Sequence, residues 1–390
     1  MISNMGEDFY RHTWVEVDLD AISANVNAFR KHLPEQTKLM AVVKADGYGH
    51  GAIPVAEEAL AAGVQYLGVA TLDEALELRA AGIDAPILVM GYTAPPFLEI
   101  AALRNITLTV FDLDVIAALD ELTRRLRIPV KIHLKVDSGM GRIGVRSEAE
   151  FRALISAVDK CPLIVLEGAF THFSCADEVD SSYSEAQHHT FMRVIQNSLR
   201  SIPIIHCNNS AAGIMFPSWG YNMVRLGISL YGQYPSPQAR GQGIELTAAF
   251  ALKSKISYVK DVSKGTFISY GATYQTTSKA KIASIPIGYA DGYSRALSNR
   301  GKALVGGQKV SVVGRICMDQ CMLDVSNLST CFVGDEVVLI GRQGNAIITV
   351  DDVAELLQTI NYEVTCMISR RVPRVYKRNG SELFTKNYLL

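Results

Sequence analysis

Short apolar runs alternate with amphipathic stretches over roughly the first 230 residues of the chain. The apolar runs are rich in β-branched and aliphatic residues, which is typical of strands that are buried on both faces. The predicted strands are 39–43, 66–70, 86–90, 106–110, 130–136, 164–170, 202–206 and 223–228. The predicted helices between them are 52–62, 73–81, 112–127, 147–159 and 184–199. Thr71 and Ser147 are expected to cap two of these helices, because acidic residues follow each of them in the first turn.

Eight strands, each followed by a helical or connecting segment, predict a TIM-type (β/α)8 barrel over residues 12–240. The alternative is a doubly wound open sheet, which usually carries a glycine-rich phosphate loop after its first strand. The segment KADGYGHG after the first predicted strand contains glycines but opens with a lysine. The barrel is therefore the favoured fold.

The pattern changes after about residue 245, where short strands are separated by Gly, Asp and Asn turns. The predicted elements are strands 281–287, 309–313, 321–325 and 335–340 and one helix, 351–358. This texture predicts a second, mainly β domain over residues 245–390, joined to the barrel by a linker at 235–243. An early strand, 13–18, can belong to either domain, and the sequence leaves that choice open.

Charge and hydropathy restrict the possible partners. The chain has 38 Lys and Arg against 39 Asp and Glu, whereas a nucleic-acid-binding protein needs a basic stripe. No apolar run reaches the length of a membrane span, and the N-terminus lacks the pattern of a secretory signal. We expect a cytoplasmic protein with reduced thiols and with no nucleic-acid or membrane partner. Cys317 and Cys321 lie four residues apart, but no His or Cys cluster completes a metal site, so no metal is expected.

Polar residues stand at the ends of the predicted barrel strands, where barrel enzymes place their chemistry. They are Lys44, Lys135, Asp137, Arg142, His172, His206, Asn208, Asn209, Ser210, Arg225 and Gly227. Because all of these strand ends face one rim, the side chains can converge on one pocket. A solvated lysine or an ordinary core histidine is the commoner fate of any one of them taken alone.

Lys44 directly follows an apolar strand, and burial would favour its neutral amine, which is the form needed for Schiff-base chemistry. Gly47, Gly49 and Gly51 would let the backbone approach a ligand closely. A phosphate site is suggested after the last two barrel strands by Asn209, Ser210, Gly227 and Ile228, although ordinary turn chemistry explains the Asn-Ser pair equally well. A lysine opposite a phosphate site is the arrangement that pyridoxal 5'-phosphate requires.

Nine motifs, in order and spread over both predicted domains, resemble those of alanine racemases. They are AVVKADGYGHG (41–51), HLKVDSGMGRIG (133–144), THFSCAD (171–177), HCNNSAA (206–212), RLGISLYG (225–232), SYGATY (269–274), PIGYADGYSR (286–295), GRICMDQ (314–320) and SRRVPRVY (369–376). The resemblance implies an isomerase that uses pyridoxal 5'-phosphate to interconvert L-alanine and D-alanine.

The resemblance also implies two catalytic bases. Lys44 would bind the cofactor covalently and act on one face of the substrate carbon, while Tyr270 of a partner subunit would act on the other face. Tyr289 is a rival by residue type, but the resemblance assigns it to the substrate gate. His172 and Arg225 would assist Tyr270, since an unperturbed tyrosine has a pKa of about 10. Arg225 would also face the pyridine nitrogen of the cofactor.

Further roles follow from the same resemblance. Arg142 would contact the cofactor's phenolic oxygen and the substrate carboxylate, and Lys135 could carry a carbamate that pairs with Arg142. Met318 and Asp319 would line the substrate site from the partner subunit. The remaining assignments are cofactor contacts at Tyr48 and Tyr362, the latter to the phosphate.

Because Lys44 and Tyr270 would come from different chains, the resemblance implies a homodimer with shared active sites. Its biological role would be the supply of D-alanine for the bacterial cell wall. The alternatives are a broad-specificity amino-acid racemase, a decarboxylase of the same architecture, a non-catalytic pyridoxal phosphate carrier, and a structural protein without a cofactor.

Overall fold

The computed structural model describes residues 9–196 and 201–390. Its strands are β1 (Thr13–Asp18), β2 (Lys38–Val42), β3 (Tyr66–Val69), β4 (Ile87–Val89), β5 (Thr107–Val110), β6 (Val130–Lys135), β7 (Ile164–Phe170), β8 (Ile204–His206), β9 (Met223–Leu226), β10 (Phe250–Lys255), β11 (Tyr258–Val262), β12 (Phe267–Ile268), β13 (Tyr274–Gln275), β14 (Ala280–Ile285), β15 (Lys302–Val305), β16 (Gln308–Val312), β17 (Cys321–Asp324), β18 (Glu336–Gln343), β19 (Ala346–Ile348), β20 (Arg374–Arg378) and β21 (Ser381–Lys386).

The helices separate into a set that accompanies β2 to β9 and two that follow β19. They are α1 (Leu19–His32), α2 (Lys44–Tyr48), α3 (Ala52–Ala61), α4 (Leu72–Ala80), α5 (Leu98–Leu103), α6 (Leu113–Leu126), α7 (Glu148–Val158), α8 (Ser182–Gln196), α9 (Ser210–Met215), α10 (Val350–Leu357) and α11 (Asn361–Cys366). Residues 197–199, which the sequence predicted as the end of α8, lie outside the described residues.

The chain divides into two compact units. One comprises Ala21–Gly47 and Ala52–Thr247. The other comprises the described residues up to Asp20 together with Tyr48–Gly51 and Ala248–Leu390. We call them the barrel unit and the β unit.

The barrel unit is built on eight parallel strands in the order β8-β7-β6-β5-β4-β3-β2-β9. The two outer strands of this order are joined by backbone hydrogen bonds from Asn222 N to Ile205 O and from Arg225 N to Asn208 O, both 3.1 Å. The sheet therefore closes on itself, which confirms the predicted barrel and rejects the open sheet. Each predicted barrel strand is present, with bounds that differ by at most two residues.

Local signals explain where the barrel helices begin. The Thr71 side chain accepts a hydrogen bond from Glu74 N, and the Glu74 carboxylate accepts one from Thr71 N, which forms a capping box at the start of α4. Ser147 and Glu150 form the same arrangement at the start of α7. Both predicted caps are confirmed.

The β unit is dominated by an 11-stranded sheet. β1 pairs antiparallel with β10 and parallel with β20, so the early strand belongs to this sheet. Its core includes the fully buried side chains of Val15, Leu252, Leu304 and Val338. The sequence analysis had named four C-terminal strands and one helix, and all five are present. It had not named β10, β11, β12, β13, β15, β19, β20, β21 or α11.

No helix in residues 9–196 and 201–390 is long and apolar enough to cross a membrane.

Candidate active site

Lys44 lies directly beyond the carboxyl end of β2, at the rim of the barrel, and is half-buried. The turn that it opens is left-handed: the φ values of Ala45, Asp46 and Gly47 are 52°, 52° and 60°. Such values cost a non-glycine residue roughly 1–2 kcal/mol each. The surrounding structure must therefore hold this turn in place, which is a pattern common at functional sites.

Three hydrogen bonds hold the left-handed turn. Ala45 N donates to Glu74 Oε1 at 2.7 Å, and Gly47 N donates to Val43 O at 2.9 Å. Asp46 Oδ1 accepts from Ala52 N at 3.1 Å. A Cβ at position 47 would lie 3.3 Å from the backbone of Ala52, so glycine also keeps the turn compact.

Arg225, in β9, is buried in the barrel and surrounded by acceptors. Its Nη2 donates to the carbonyl oxygens of Thr171 and Cys207, both at 2.9 Å, and lies 3.2 Å from His172 Nδ1. Its Nη1 lies 3.0 Å from His206 Nδ1. Burial lowers the pKa of Arg225 to about 10, so the guanidinium stays protonated at neutral pH and can only donate.

Lys135 and His172 stand in the same electropositive environment. Burial, with the charges of Arg225 and Arg142, holds the pKa of Lys135 well below its ordinary value. Burial and the charges of Arg225, Lys135, Arg142 and Lys44 do the same to the pKa of His172. His172 is therefore neutral at pH 7, and the lowered pKa of Lys135 favours its neutral amine. The Lys135 ammonium position lies 4.9 Å from the centre of the Phe170 ring and 3.0 Å from Val136 O.

Arg142 is carried on an exposed turn beyond β6. Asp137 Oδ1 organises that turn by accepting hydrogen bonds from Gly139 N at 3.1 Å and Gly141 N at 3.0 Å. Burial raises the pKa of Asp137, but these backbone donors outweigh it and the pKa is lowered. The carboxylate is thus a permanent anion beneath the turn that presents Arg142.

The residues expected to bind a phosphate are brought together by α9 and the segment after β9. Ser210 Oγ accepts from Gly227 N at 2.9 Å and from Ser229 N at 3.4 Å, and Ile228 begins a short 3₁₀ turn between them. Asn209 caps α9, because its Oδ1 accepts from Ala212 N at 2.9 Å. The Asn209 side chain also donates from Nδ2 to Phe173 O at 3.4 Å, so both ends of its amide are engaged within the protein.

Tyr270 lies in the β unit and is 70% exposed. It follows Ser269, whose backbone is left-handed with a φ of 67° and whose hydroxyl donates to Arg315 O at 2.5 Å. A cavity of about 430 Å³ is lined by Tyr270 together with Phe267, Cys317 and neighbouring side chains. The phenol is thus presented outward beside a cavity of the β unit.

Tyr289 and Met318 are held side by side by their backbones. Tyr289 N donates to Cys317 O at 3.0 Å, and Ala290 N donates to Met318 O at 3.1 Å. A Cβ at Gly288 would lie 2.3 Å from both of those carbonyl oxygens, so only glycine permits this approach. Tyr289 and Met318 are 42% and 53% exposed.

Asp319, which follows Met318, is linked through Arg371 to a buried carboxylate. It pairs with Arg371 at 2.9 Å, and Arg371 lies 3.7 Å from the fully buried Asp291. Arg11 also pairs with Asp291, at 2.8 Å. Asp291 Oδ2 accepts from Gly288 N at 3.0 Å, so one buried carboxylate organises the segments that carry Tyr289 and Asp319.

Tyr48 and Tyr362 lie together in the β unit, with their ring centroids 6.1 Å apart. Tyr48 is buried and Tyr362 is half-buried near the start of α11. The structure therefore brings together two tyrosines that are distant in the sequence and that the resemblance had assigned to the cofactor.

Three residues of the barrel interior form hydrogen bonds that the sequence analysis did not foresee. His206 had been named only as a strand-end residue, and His133 and Glu167 had been given no role, yet hydrogen bonds connect all three to Arg225. The available signal was a buried-strand position occupied by a polar side chain in each of β6, β7 and β8.

The barrel unit offers a donor set that suits pyridoxal 5'-phosphate. A half-buried lysine amine suits an aldehyde, Ser210 and nearby backbone amides suit a phosphate, and a buried guanidinium suits a pyridine nitrogen. Across residues 9–196 and 201–390, no group of three or more His, Cys, Asp or Glu side chains is placed to hold a metal ion.

Comparisons with known proteins agree in both halves of the chain. The family model described as the alanine racemase N-terminal domain matches residues 17–235, and the model described as the alanine racemase C-terminal domain matches residues 249–376. The protein "Alanine racemase 2" of Oceanobacillus iheyensis is 49% identical over 374 residues, which is 95% of this chain and 95% of that protein.

Solved structures extend the comparison to three dimensions. The alanine racemase of Bacillus anthracis with bound L-Ala-P is 43% identical, with a TM-score of 0.93 over 98% of this chain and 99% of that one. The histidine racemase of Leuconostoc mesenteroides is 32% identical, with a TM-score of 0.90 over 96% of this chain and 100% of that one.

Proposed function

This chain belongs to the alanine racemase family, and we propose that it interconverts L-alanine and D-alanine with pyridoxal 5'-phosphate as its cofactor. The observation that carries the proposal is that the residues suited to the cofactor lie together at one rim of the barrel. β2 and β9 are paired with Met40 opposite Arg225, so Lys44 lies just beyond the end of a strand whose neighbour supplies the buried guanidinium. Ser210 and Gly227 complete the set on the same side of the barrel.

When bound, the cofactor supplies an electron sink that makes the proton on the substrate carbon acidic. Lys44 would hold the cofactor, and Ser210 with the amides of Gly227 and Ile228 would bind its phosphate. Tyr48 and Tyr362 contribute further cofactor contacts. Arg225 would face the pyridine nitrogen of the cofactor as a donor, which would leave that nitrogen unprotonated and the electron sink weak. Arg142 contacts the phenolic oxygen of the cofactor and the substrate carboxylate.

Racemisation needs a proton to leave one face of a planar carbon and another to arrive on the opposite face. One rigid base cannot reach both faces, so two groups are required. Lys44 serves one face, and Tyr270 of the partner subunit serves the other. Met318 and Asp319 of the partner line the substrate site, and Tyr289 stands at its gate.

His172 prepares the phenol of Tyr270 to accept a proton. Arg225 Nη2 can only donate, so His172 Nδ1 must accept. A neutral imidazole with Nδ1 unprotonated carries its hydrogen on Nε2. That Nε2–H is a donor for a phenolate oxygen, and this stabilises the charged form of Tyr270.

Lys135 carries a carbamate formed with carbon dioxide. Burial and the charges of Arg225 and Arg142 lower the pKa of Lys135. This favours the neutral amine, which is the nucleophile that this modification needs. The amine adds to carbon dioxide and releases a proton, so the lysine becomes an anion among arginines, and this anion holds Arg142 in position.

The active form is a homodimer in which each site uses two chains. The exposure of Tyr270, Tyr289 and Met318 supports this arrangement, because side chains assigned to the substrate are turned outward from their own unit. Progressive dilution should lower the specific activity together with the molecular mass. A fully active monomer would contradict the shared site.

The protein works in the cytoplasm and supplies D-alanine for the bacterial cell wall. This assignment follows the family and its usual substrate rather than any feature of the fold.

The decisive test is a circular-dichroism time course on L-alanine with added cofactor. The wild-type signal should decay to zero as the enantiomers equilibrate, and the Lys44→Ala variant should leave it unchanged. A stable signal with the wild-type protein loaded with cofactor would overturn the proposal.

A broader substrate range is the second candidate, because the histidine racemase of Leuconostoc mesenteroides shares this fold at 32% identity. Serine, lysine and histidine should be run beside alanine in the same assay. Rates for any of them that equal the alanine rate would favour the broad-specificity function.

A further inference from the structure

A continuous line of hydrogen bonds runs from Arg225 across the inside of the barrel. Arg225 Nη1 lies 3.0 Å from His206 Nδ1, and His206 Nε2 lies 2.9 Å from His133 Nδ1. His133 Nε2 then lies 3.3 Å from Glu167 Oε2. The four residues come from the consecutive strands β9, β8, β6 and β7, and the proposed reaction uses only Arg225.

The guanidinium of Arg225 determines which ring nitrogen of His206 and of His133 carries the hydrogen. A guanidinium only donates, so His206 Nδ1 accepts and the hydrogen of His206 stands on Nε2. His206 therefore donates to His133 Nδ1. The hydrogen of His133 must then stand on Nε2, from which it donates to Glu167.

Neither imidazole is protonated twice. Both histidines are fully buried, and burial lowers the pKa of His133 and, with the charge of Arg225, holds the pKa of His206 well below its ordinary value. A hydrogen on His206 Nδ1 would also point at a guanidinium hydrogen of Arg225. Both imidazoles are therefore neutral, and each carries its hydrogen on Nε2 and donates away from Arg225.

Glu167 is the final acceptor in this line of hydrogen bonds, and its carboxylate is held in place by other partners. Its carboxylate also accepts from the Tyr66 hydroxyl at 2.6 Å and pairs with Lys131 at 2.8 Å. Burial raises its pKa, but the hydrogen bonds from His133, Lys131 and Tyr66 outweigh burial and lower it to about 2. The acceptor at the far end is thus an anion at every working pH.

The backbone is shaped around this contact. The pairing of β6 and β7 shifts register so that His133 lies opposite Gly168 and Glu167 is the extra residue of a β-bulge. Bulges re-aim side chains and are common beside active sites. A Cβ at Gly168 would lie 2.7 Å from the His133 ring, so glycine makes room for that imidazole.

We propose that Glu167 and His133 are positioning residues that, through His206, orient the Arg225 guanidinium as a donor toward the cofactor nitrogen. The inference rests on the proposed function, because that function assigns Arg225 to this nitrogen. Removing the terminal acceptor lets the two imidazoles reverse their hydrogens. Reversal brings His206 Nδ1–H against Arg225 Nη1–H and displaces the guanidinium.

The first test reads the hydrogens without any turnover. Histidine-selective ¹⁵N NMR of the cofactor-free protein, assigned with His133→Gln and His206→Gln, should show both imidazoles protonated on Nε2 and non-titrating between pH 6 and 8. A protonated Nδ1 on His206 overturns the proposal. This result does not depend on racemase activity, so it separates failure of the hydrogen-bond line from failure of the proposed function.

The second test uses three variants of the loaded enzyme. Glu167→Leu should lower kcat by about tenfold, as loss of an outer partner does at other sites, and should raise the ratio of pyruvate formed to alanine racemised. Glu167→Gln keeps an acceptor oxygen, so its kcat and its pyruvate ratio should both lie close to the wild-type values. Lys131→Ala removes the 44%-exposed ion-pair partner of Glu167 but keeps the hydrogen bonds from Arg225 to Glu167. Its kcat and pyruvate ratio should match those of wild type. Equal kcat and pyruvate ratios in Glu167→Leu and wild type would overturn the proposal, and if Glu167→Leu does not fold, the ¹⁵N measurement still decides.

Discussion

Glu74 and Ala45 are joined by a hydrogen bond of 2.7 Å from the Ala45 amide to Glu74 Oε1, 29 residues along the chain. The other carboxylate oxygen of Glu74 accepts from Ala70 N at 2.7 Å and Thr71 N at 3.3 Å. One side chain therefore begins α4 and also holds the left-handed turn that Lys44 opens.

Replacing Glu74 by Ala should weaken cofactor binding and lower racemisation, because the strained turn loses the acceptor that holds it. We expect a loss of about tenfold in kcat/KM, which is roughly the factor for one hydrogen bond of 1.4 kcal/mol. Cofactor titration followed by absorbance and the circular-dichroism assay would measure both effects.

Thr71→Ala is the matched control for Glu74→Ala. It removes the helix cap, at a cost of about 1 kcal/mol in stability, but it keeps the bond between Ala45 and Glu74. Its cofactor affinity should remain that of wild type. Equal losses of affinity in the two variants would show that helix stability, and not the turn, is responsible.

Tyr270→Phe should lower racemisation by roughly 10²–10⁴-fold, because the variant lacks the group that serves one face of the carbon. Tyr289→Phe also removes one exposed tyrosine hydroxyl and should retain most of the rate. Rates in both directions, measured by circular dichroism, give the comparison. The opposite ranking of the two variants would transfer the catalytic role to Tyr289.

Arg225→Glu should increase transamination relative to racemisation, because a carboxyl group beside the pyridine nitrogen allows its protonation and strengthens the electron sink. Pyruvate formed from L-alanine, coupled to lactate dehydrogenase, measures the side reaction. Arg225→Lys keeps a cation at this place and serves as the control. If the ratio of transamination to racemisation is unchanged in Arg225→Glu, then Arg225 does not weaken the cofactor as an electron sink.

Lys135 should bind carbon dioxide. Protein prepared in ¹³C-bicarbonate should show a carbamate carbon signal that is absent from Lys135→Gln, and exhaustive removal of carbon dioxide should lower the rate reversibly. Intact mass at mild pH offers an independent check. If the signal survives in Lys135→Gln, the modified residue lies elsewhere.

Glu167 should make the barrel sensitive to acid. The pKa of its carboxyl group falls from 4.5 to about 2 on folding, so its contribution to stability is complete above pH 4.5 and is lost as the pH falls from about 4.5 to about 2. Urea midpoints of wild type should therefore decline over that range. Glu167→Gln should be less stable at pH 7 and should show a shallower decline, and parallel curves would contradict this assignment.

The sequence by itself determined the local structure and the kind of chemistry. The periodicity of apolar residues predicted the eight barrel strands, because a strand buried on both faces needs a short apolar run. Thr71 and Ser147 predicted two helix starts, because their side chains satisfy amides that the first turn leaves without partners. The motif around Lys44 predicted the cofactor lysine at a strand end.

Only the tertiary structure decided which distant residues act on one another. Whether β1 belongs to the barrel or to the β sheet depends on pairing with β10 and β20, which lie more than 200 residues away in the chain. The line from Arg225 to Glu167 depends on a register shift between β6 and β7 that places Glu167 beside His133. Hydrophobic pattern determines which face of a strand is buried, whereas contacts between strands depend on register and closure, and these are properties of the assembled barrel.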